Sequence, residues 1–177
     1  QQGGDAAATV AGWAGDAVAV RAACLDVGLS QLPKSRNLFA LGIDAPLYLS
    51  VHSAVARLAA PGAAVIHVAR YLPAGEPSDA KADERELEAL LDLMQPGWRE
   101  VVVERRFLPD MTVAQAVVEA RRAGRRPGPA VPGADGLFVV GDWVGARGML
   151  VDASLASAEE AAETIADRTA GNSRAAA

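Results

Sequence analysis

The sequence predicts a mixed α/β (α+β) chain, in which a mostly antiparallel sheet with helices precedes a final strand and helix of the parallel-sheet type. Three observations predict this class. Short apolar runs alternate with turn signals in the first half, an amphipathic helical pattern follows, and a wholly apolar run near the C-terminal end leads into glycines. Apolar residues make up 51% of the 177 residues, which favours a globular soluble protein over a disordered one.

The first half of the chain predicts one weak helix and then strands. The small residues of segment 1–17 indicate a weak or frayed helix around Trp13. Because the connections between the strands are short, and parallel strands need long crossovers, the sheet is expected to be mostly antiparallel. Strands are expected at 18–29, 38–44 and 47–53, and at 55–59 and 64–72 as a hairpin around Pro61-Gly62.

Helical spacing replaces the alternating pattern at residues 79–94. Leu87, Leu90, Leu91 and Met94 recur on one face of the helix that this spacing predicts. Ser78 is the expected N-cap, and the segment stops at Pro96-Gly97 before a strand at 99–108.

A second helix is expected after this strand, because residues 112–115 carry a capping-box pattern that starts at Thr112. This helix is expected to end at Gly124, with Arg121 and Arg122 in its last turn. The glycine- and proline-rich connector 124–135 is the expected domain boundary.

The chemistry is expected in the segment 141–158, which begins where the wholly apolar strand 136–141 ends in Gly141-Asp142. A loop at 142–151 leads to a helix predicted at 152–168. Asp142 would emerge from the strand into a crevice, where a partly buried carboxylate needs hydrogen-bond donors. Gly145 and Gly148 would turn the chain so that free N–H groups of the helix start face outward and favour negative charge. An ordinary strand–loop–helix connection, with Asp142 capping a local turn, is the alternative.

This segment, GLFVVGDWVG followed by GMLVDASLASAEEAA, resembles the C-terminal FAD-contacting motif of the phytoene-desaturase-like and flavin amine-oxidase-like oxidoreductases. The stretches VRAACLDVGLSQLP, PLYLSVHSAVARL and RRFLPDMTV resemble the same group, so the resemblance covers roughly residues 13–168. It implies that Asp142, next to Gly141, accepts hydrogen bonds from the ribityl chain of FAD. It also implies that the backbone of Gly148, Met149, Leu150 and Val151 lies beside the flavin pyrimidine edge.

The resemblance also implies a domain organisation. Residues 1–132 are expected to be part of a substrate-binding domain with a helical insert, 133–170 the C-terminal strand–loop–helix of a Rossmann-like FAD-binding domain, and 171–177 a disordered tail. The glycine fingerprint GxGxxG, which holds the ADP half of FAD in that family, does not occur in this sequence. We therefore expect a fragment that is inactive alone and that needs its missing N-terminal half as a partner. The joined protein is expected to oxidise an apolar or amine-bearing small molecule.

The alternative is a non-catalytic remnant or binding module without cofactor. In the absence of neighbouring strands, the apolar residues at 137–140 are then expected to be exposed.

The remaining candidates have ordinary explanations beside the functional ones. Trp143 either flanks the flavin or covers a loop, and Arg147 either meets a substrate anion or is a solvated loop residue. His52 lies on a polar strand face with Tyr48 and Ser50, which could face a substrate, but a structural role is favoured for both His52 and His67. Cys24 is expected to be an inert buried thiol.

Charge and composition exclude other classes of function. The net charge of −5 argues against nucleic-acid binding, which needs clustered positive charge. No apolar run approaches the roughly 18 residues of a membrane span. A single cysteine and the lack of an early basic residue suit the cytoplasm.

Overall fold

The computed structural model describes residues 2–116 and 126–175, and it confirms the predicted fold class of a mixed α/β chain with an antiparallel sheet. The described elements are α1 (Gln2–Asp16), β1 (Val20–Leu29), β2 (Phe39–Leu41), β3 (Leu47–Val51), β4 (Ala64–Leu72), α2 (Ala80–Met94), β5 (Val102–Ala114) and α3 (Val151–Ala175), with short 3₁₀ turns at His52–Ala54 and Trp98–Glu100.

The chain forms two compact units. The sheet unit is Val20–Val113, and the loop-helix unit combines Gln1–Ala19 with Ala114–Ala177, as far as these segments are described. The boundary predicted between residues 132 and 133 therefore lies inside the loop-helix unit. The sequence predicted a disordered tail at 171–177, whereas α3 continues as far as Ala175.

The sheet has five strands in the order β2-β3-β4-β1-β5. β1 pairs with β4 along its whole length, with Leu25 opposite Val68 and Asp26 opposite His67. β3 pairs antiparallel with β4 on the other side, and β2 with β3. This antiparallel arrangement confirms the prediction made from the short connections between strands.

One face of the sheet packs against α2 and forms the core. Side chains two residues apart point to the same face of a strand, so Leu25 and Val27 face α2 together with Ile66 and Val68. Leu87 and Leu91 of α2 are fully buried against these residues, as the predicted apolar stripe requires. The other members of this buried cluster are Ala23, Leu29, Leu49, Val51, Ala64, Leu72 and Trp98.

Cys24 points to the opposite face and is fully buried. Burial raises the pKa of its thiol to about 11, with a smaller contribution from the charge of Asp26. Because the thiolate is the reactive form, a thiol that remains neutral at physiological pH is inert, as the sequence predicted.

The start of α2 differs from the prediction. The N-cap is Asp79, whose Oδ1 accepts hydrogen bonds from the N–H groups of Lys81 and Ala82 at 3.0 and 3.1 Å. Ser78, the predicted cap, instead donates from its hydroxyl to the buried carboxylate of Asp83. Serine and aspartate are both good N-caps, so residue type did not distinguish Ser78 from Asp79 as the residue at which the helix begins.

The hairpin predicted at 55–59 is wrong. Both edges of β4 are occupied, by β1 and β3, so residues 55–59 have no strand to pair with. They form an irregular loop in which Val55 and Leu58 are exposed.

The helix predicted from the capping box at Thr112 is also wrong at its start, because β5 continues through Ala114. Its predicted last turn, with Arg121, Arg122 and Gly124, lies outside the described residues.

In the loop-helix unit, the strand predicted at 136–141 is an isolated antiparallel bridge between Ala130 and Phe138. Two further backbone hydrogen bonds hold it, from Val131 N–H to Leu137 O at 3.0 Å and from Val139 N–H to Pro129 O at 2.8 Å. A buried strand needs neighbours on both sides, and the described part of this unit supplies only one short partner. As expected for such a segment, Leu137 and Val140 are about half exposed. No helix in the described ranges is long and apolar enough to span a membrane.

Candidate functional site

The loop 141–150 and the first residue of α3 carry all six residues that the sequence predicted for the site. Gly141 and Asp142 lie at the start of the loop, Gly148, Met149 and Leu150 at its end, and Val151 is the first residue of α3. All six belong to the loop-helix unit, so the site can be described within one compact body.

Asp142 is held by only one of its two carboxylate oxygens. Its Oδ2 accepts a hydrogen bond of 2.7 Å from the backbone N–H of Gln115. Its Oδ1 is buried, and no described residue donates to it. An unpaired buried carboxylate oxygen costs free energy. A hydrogen-bond donor from outside the described residues would therefore be stabilised beside Oδ1 of Asp142.

Arg126 holds the loop from one side. Its guanidinium donates to the backbone carbonyls of Asp142 at 3.3 Å, Gly148 at 2.9 Å and Arg147 at 3.4 Å. The planar guanidinium, with five N–H groups, can bridge several carbonyls at once. Arg126 thus joins the two ends of the loop. This role of Arg126 was not predicted, because Arg126 lies in a connector whose composition indicates only a boundary.

Ser157 holds the start of the loop from the side of α3. Its buried hydroxyl accepts from the N–H of Gly141 at 3.1 Å and donates to the carbonyl of Ser154 at 3.0 Å. The contact between Ser157 and Gly141 was not predicted from the sequence. The only signal in the sequence is a serine in the second turn of α3, and serines are too common in helices to identify this contact.

Gly148 lies directly on the first turn of α3. Its φ is +69°, and a Cβ at this position would lie 2.9 Å from the backbone carbon of Asp152 and 3.0 Å from the nitrogen of Ala153. Any other residue would be strained in its backbone and would also overlap the helix. The glycine therefore sets how closely the loop approaches the helix start.

Leu150 has a left-handed backbone with φ of +53°, the only described non-glycine residue with positive φ. Such a conformation is an outlier for a bulky residue, and these outliers concentrate at functional sites. Met149, Leu150 and Val151 are 63%, 57% and 67% exposed, so three apolar side chains face outward at one helix start. Their backbone N–H groups have no acceptor among the described residues.

These N–H groups lie at the N-terminus of a 25-residue helix. The helix dipole and the free N–H groups favour negative charge there. The loop thus combines a carboxylate acceptor, N–H groups without a described acceptor and an apolar surface, which suits a ligand with hydroxyl groups and a planar, electron-rich ring.

Two further residues predicted as candidates have local partners. Trp143 packs against Trp13 of α1, with ring centroids 5.9 Å apart. Arg147 pairs with Glu159 at 2.9 Å, and both side chains are well exposed. Of the two roles predicted for Arg147, this contact fits the solvated loop residue. Among the described residues, no group of His, Cys, Asp and Glu side chains could hold a metal ion.

No protein-family model and no curated protein matches the chain. Among solved structures, an oxidoreductase from Methanosarcina mazei is similar, with a TM-score of 0.58 and 22% identity over 88% of this chain. The chain spans 37% of the length of that oxidoreductase. At this level of identity the comparison shows a common fold, and that fold occurs in a protein described as an oxidoreductase.

Proposed function

We propose that this chain is part of an FAD-dependent oxidoreductase and that the loop 141–150 contributes to its flavin site. The observation that carries the proposal is the buried Oδ1 of Asp142, which has no donor among the described residues. The fold shared with an oxidoreductase supports the same class. The assignment of FAD as the cofactor rests on the resemblance to phytoene-desaturase-like and amine-oxidase-like enzymes.

In this proposal Asp142 accepts a hydrogen bond from a ribityl hydroxyl at its free Oδ1, while the Gln115 N–H keeps Oδ2 in place. A hydrogen bond to an ionised carboxylate is worth about 1.5–3 kcal/mol, so this contact alone would change affinity about tenfold to a hundredfold. Arg126 and Ser157 do not contact the cofactor; they fix the loop on which Asp142 lies.

In the same proposal, the start of α3 contacts the flavin ring. The N–H groups of Met149, Leu150 and Val151, which have no described acceptor, would stabilise negative charge on the pyrimidine side of the ring, and their exposed apolar side chains would exclude water from it. Bound FAD would supply the hydride acceptor, and the chain would bind and orient it. The proposed substrate is an apolar or amine-bearing small molecule.

The experiment measures flavin retention in the longest continuous reading frame that contains this sequence. The protein is purified with FAD, and bound flavin is measured by absorbance and by fluorescence after release. We expect retained flavin in the unaltered protein and affinity about tenfold to a hundredfold weaker in Asp142→Ala. Asp142→Asn is also expected to weaken flavin binding. The single amide oxygen of asparagine can still accept the hydrogen bond from the Gln115 N–H.

Asp135→Ala is the matched control, because Asp135 is a fully exposed carboxylate of the same unit that pairs only with Arg168 among the described residues. It is expected to retain flavin like the unaltered protein. A protein that retains no flavin, or an Asp142→Ala variant that binds it as tightly as Asp135→Ala does, would contradict the proposal.

A non-catalytic binding module is the second candidate. The observation that favours it is the sheet unit, which has its own buried cluster formed by both the sheet and α2. Cooperative unfolding of the chain without cofactor, together with no GxGxxG segment in frame upstream, would favour the module over the enzyme.

A further inference from the structure

The two histidines of the chain lie together on the sheet face opposite α2. Asp26 of β1 and His67 of β4 are directly opposite in the strand register, and Nδ1 of His67 lies 2.6 Å from Oδ1 of Asp26. Their neighbours Leu25, Val27 and Ile66 point the other way, into the core with α2. A structural role was expected for His67, and the residue pattern of β1 does not indicate that Asp26 is its partner.

The contact with Asp26 fixes the state of the His67 ring. An ionised carboxylate can only accept, so Nδ1 carries the proton and the lone pair of neutral His67 lies on Nε2. A carboxylate that orients an imidazole in this way is the arrangement that general-base histidines use.

Nε2 of His67 has no hydrogen-bond partner among residues 2–116 and 126–175. The side chain of His67 is 21% exposed and that of Asp26 42% exposed, so solvent and small molecules can reach the pair.

Aromatic rings continue from this pair across the sheet. The His52 ring stacks on His67 with centroids 5.4 Å apart and an angle of 22° between the planes. Tyr48 lies on another side of His67 at 6.1 Å, and Phe39 meets Tyr48 edge to face at 5.6 Å. Phe39 is exposed, so the row of rings has an open end. Flat rings beside an acceptor nitrogen favour a flat ligand that carries a donor.

We propose that His67, oriented by Asp26, is the proton acceptor of a second binding site, which takes a planar phenol or enol on the sheet face opposite α2. The O–H of the ligand donates to Nε2 of His67. On transfer, the O–H bond breaks and an N–H bond forms at Nε2, which leaves an oxyanion on the ligand and an imidazolium whose positive charge Asp26 balances. Among the described residues, His52 and Tyr48 are titratable groups whose rings lie beside His67, and Cys24 lies near Asp26 on the same strand face. The site lies wholly within the sheet unit and does not depend on the flavin proposal.

The test uses p-nitrophenol, whose ionised form has its own visible absorption band. At a fixed pH at which most of the free probe is protonated, adding the chain is expected to increase the ionised form saturably. His67→Phe keeps a ring but removes the acceptor, and the increase should fall by about tenfold or more. Glu76→Gln is the control and should keep the increase, because Glu76 is an exposed residue of the loop between β4 and α2 and belongs neither to the Asp26–His67 pair nor to the row of rings.

A second measurement uses the unaltered chain and therefore does not depend on how the variants fold. Nitrogen NMR of the two histidines should show the proton of neutral His67 on Nδ1, and addition of p-nitrophenol should shift the Nε2 resonance of His67 most. A proton on Nε2, an unshifted Nε2 resonance, or an equal increase in ionised probe with His67→Phe would each overturn the proposal.

Discussion

Gly148 shows how single residues set the shape of the candidate site. Its positive φ and its contact with the backbone of Asp152 each exclude a side chain, and the next positions carry exposed apolar groups. Leu150, two residues further on, has a strained left-handed backbone with a positive φ. Strain of this kind persists only where the surrounding structure imposes it. In the same loop, Arg126 donates to the carbonyls of Asp142, Arg147 and Gly148.

We predict that Gly148→Ala destabilises the loop-helix unit by about 2 kcal/mol, since the left-handed backbone and the overlap with α3 both oppose a Cβ. Gly171→Ala is the matched control. Gly171 lies on the same helix in open space, and alanine there should be neutral or stabilising by about 0.5–1 kcal/mol. Urea unfolding of both variants measures the difference. Equal stability of the two would contradict the account of the loop.

Some residues of the site could be predicted from the sequence and others could not. Gly141, Asp142, Gly148 and their neighbours could be predicted because glycines and a carboxylate after an apolar run form a local pattern. Arg126 and Ser157 could not, since their contacts join segments distant in the sequence and their residue types are common. The pairing of Asp26 with His67 depends on strand register, which one sequence does not fix.

At the scale of elements, α2 is fixed at its start by Asp79 and along its length by ion pairs. Arg70 contacts Asp83 at 3.1 Å, and Arg105 of β5 contacts Glu88 at 2.7 Å. The helix itself was predicted accurately, because an apolar stripe against a charged face is a strong periodic signal.

We predict that Asp79→Ala destabilises the sheet unit by about 1 kcal/mol, because two N–H groups of the first turn lose their acceptor. Asp79→Asn keeps an oxygen acceptor and should change stability little. Denaturant midpoints of the two variants test this directly. A loss as large with asparagine as with alanine would show that the cap is not the cause.

The ion pairs of α2 make stability depend on acid pH. Burial raises the pKa of Glu88, but hydrogen bonds from Arg105 and Arg99 outweigh burial and bring the pKa below its ordinary value of 4.5. The folded state therefore takes up this proton less readily than the unfolded state. The stabilisation by Glu88 is present above pH 4.5 and is lost as the pH falls through the lowered pKa of the folded state.

We predict that Glu88→Gln flattens the loss of stability between about pH 5 and pH 3, as measured by urea unfolding at a series of pH values. The exposed Glu76 offers a control, and Glu76→Gln should leave the pH dependence as it is. An unchanged acid slope in Glu88→Gln would contradict the account.

Two elements were predicted wrongly for one physical reason. Residues 55–59 and 136–141 are apolar enough to be strands, but strand formation depends on a free edge to pair with. β4 has none left for 55–59, and 136–141 finds only the residues around Ala130. The pattern near Thr112 failed differently, because β5 continues through it.

At the scale of the whole molecule, the two compact units carry separate proposed roles. The sheet unit, with its own buried cluster, carries the proposed phenol or enol site at His67, and the loop-helix unit carries the proposed flavin contacts at Asp142. Fold class could be predicted from the order of elements alone. The division at residue 114 could not, since it depends on which segments contact each other.

In the proposed flavin site, the free Oδ1 of Asp142 binds the sugar-alcohol part of the cofactor. The most direct measurement is an experimental structure of the longest natural reading frame containing this chain, purified with FAD. We predict a ribityl hydroxyl about 2.5–3.0 Å from Oδ1 of Asp142, with Gln115 N–H still on Oδ2. A flavin bound elsewhere, or an Oδ1 whose donor is a residue of the protein itself, would contradict it.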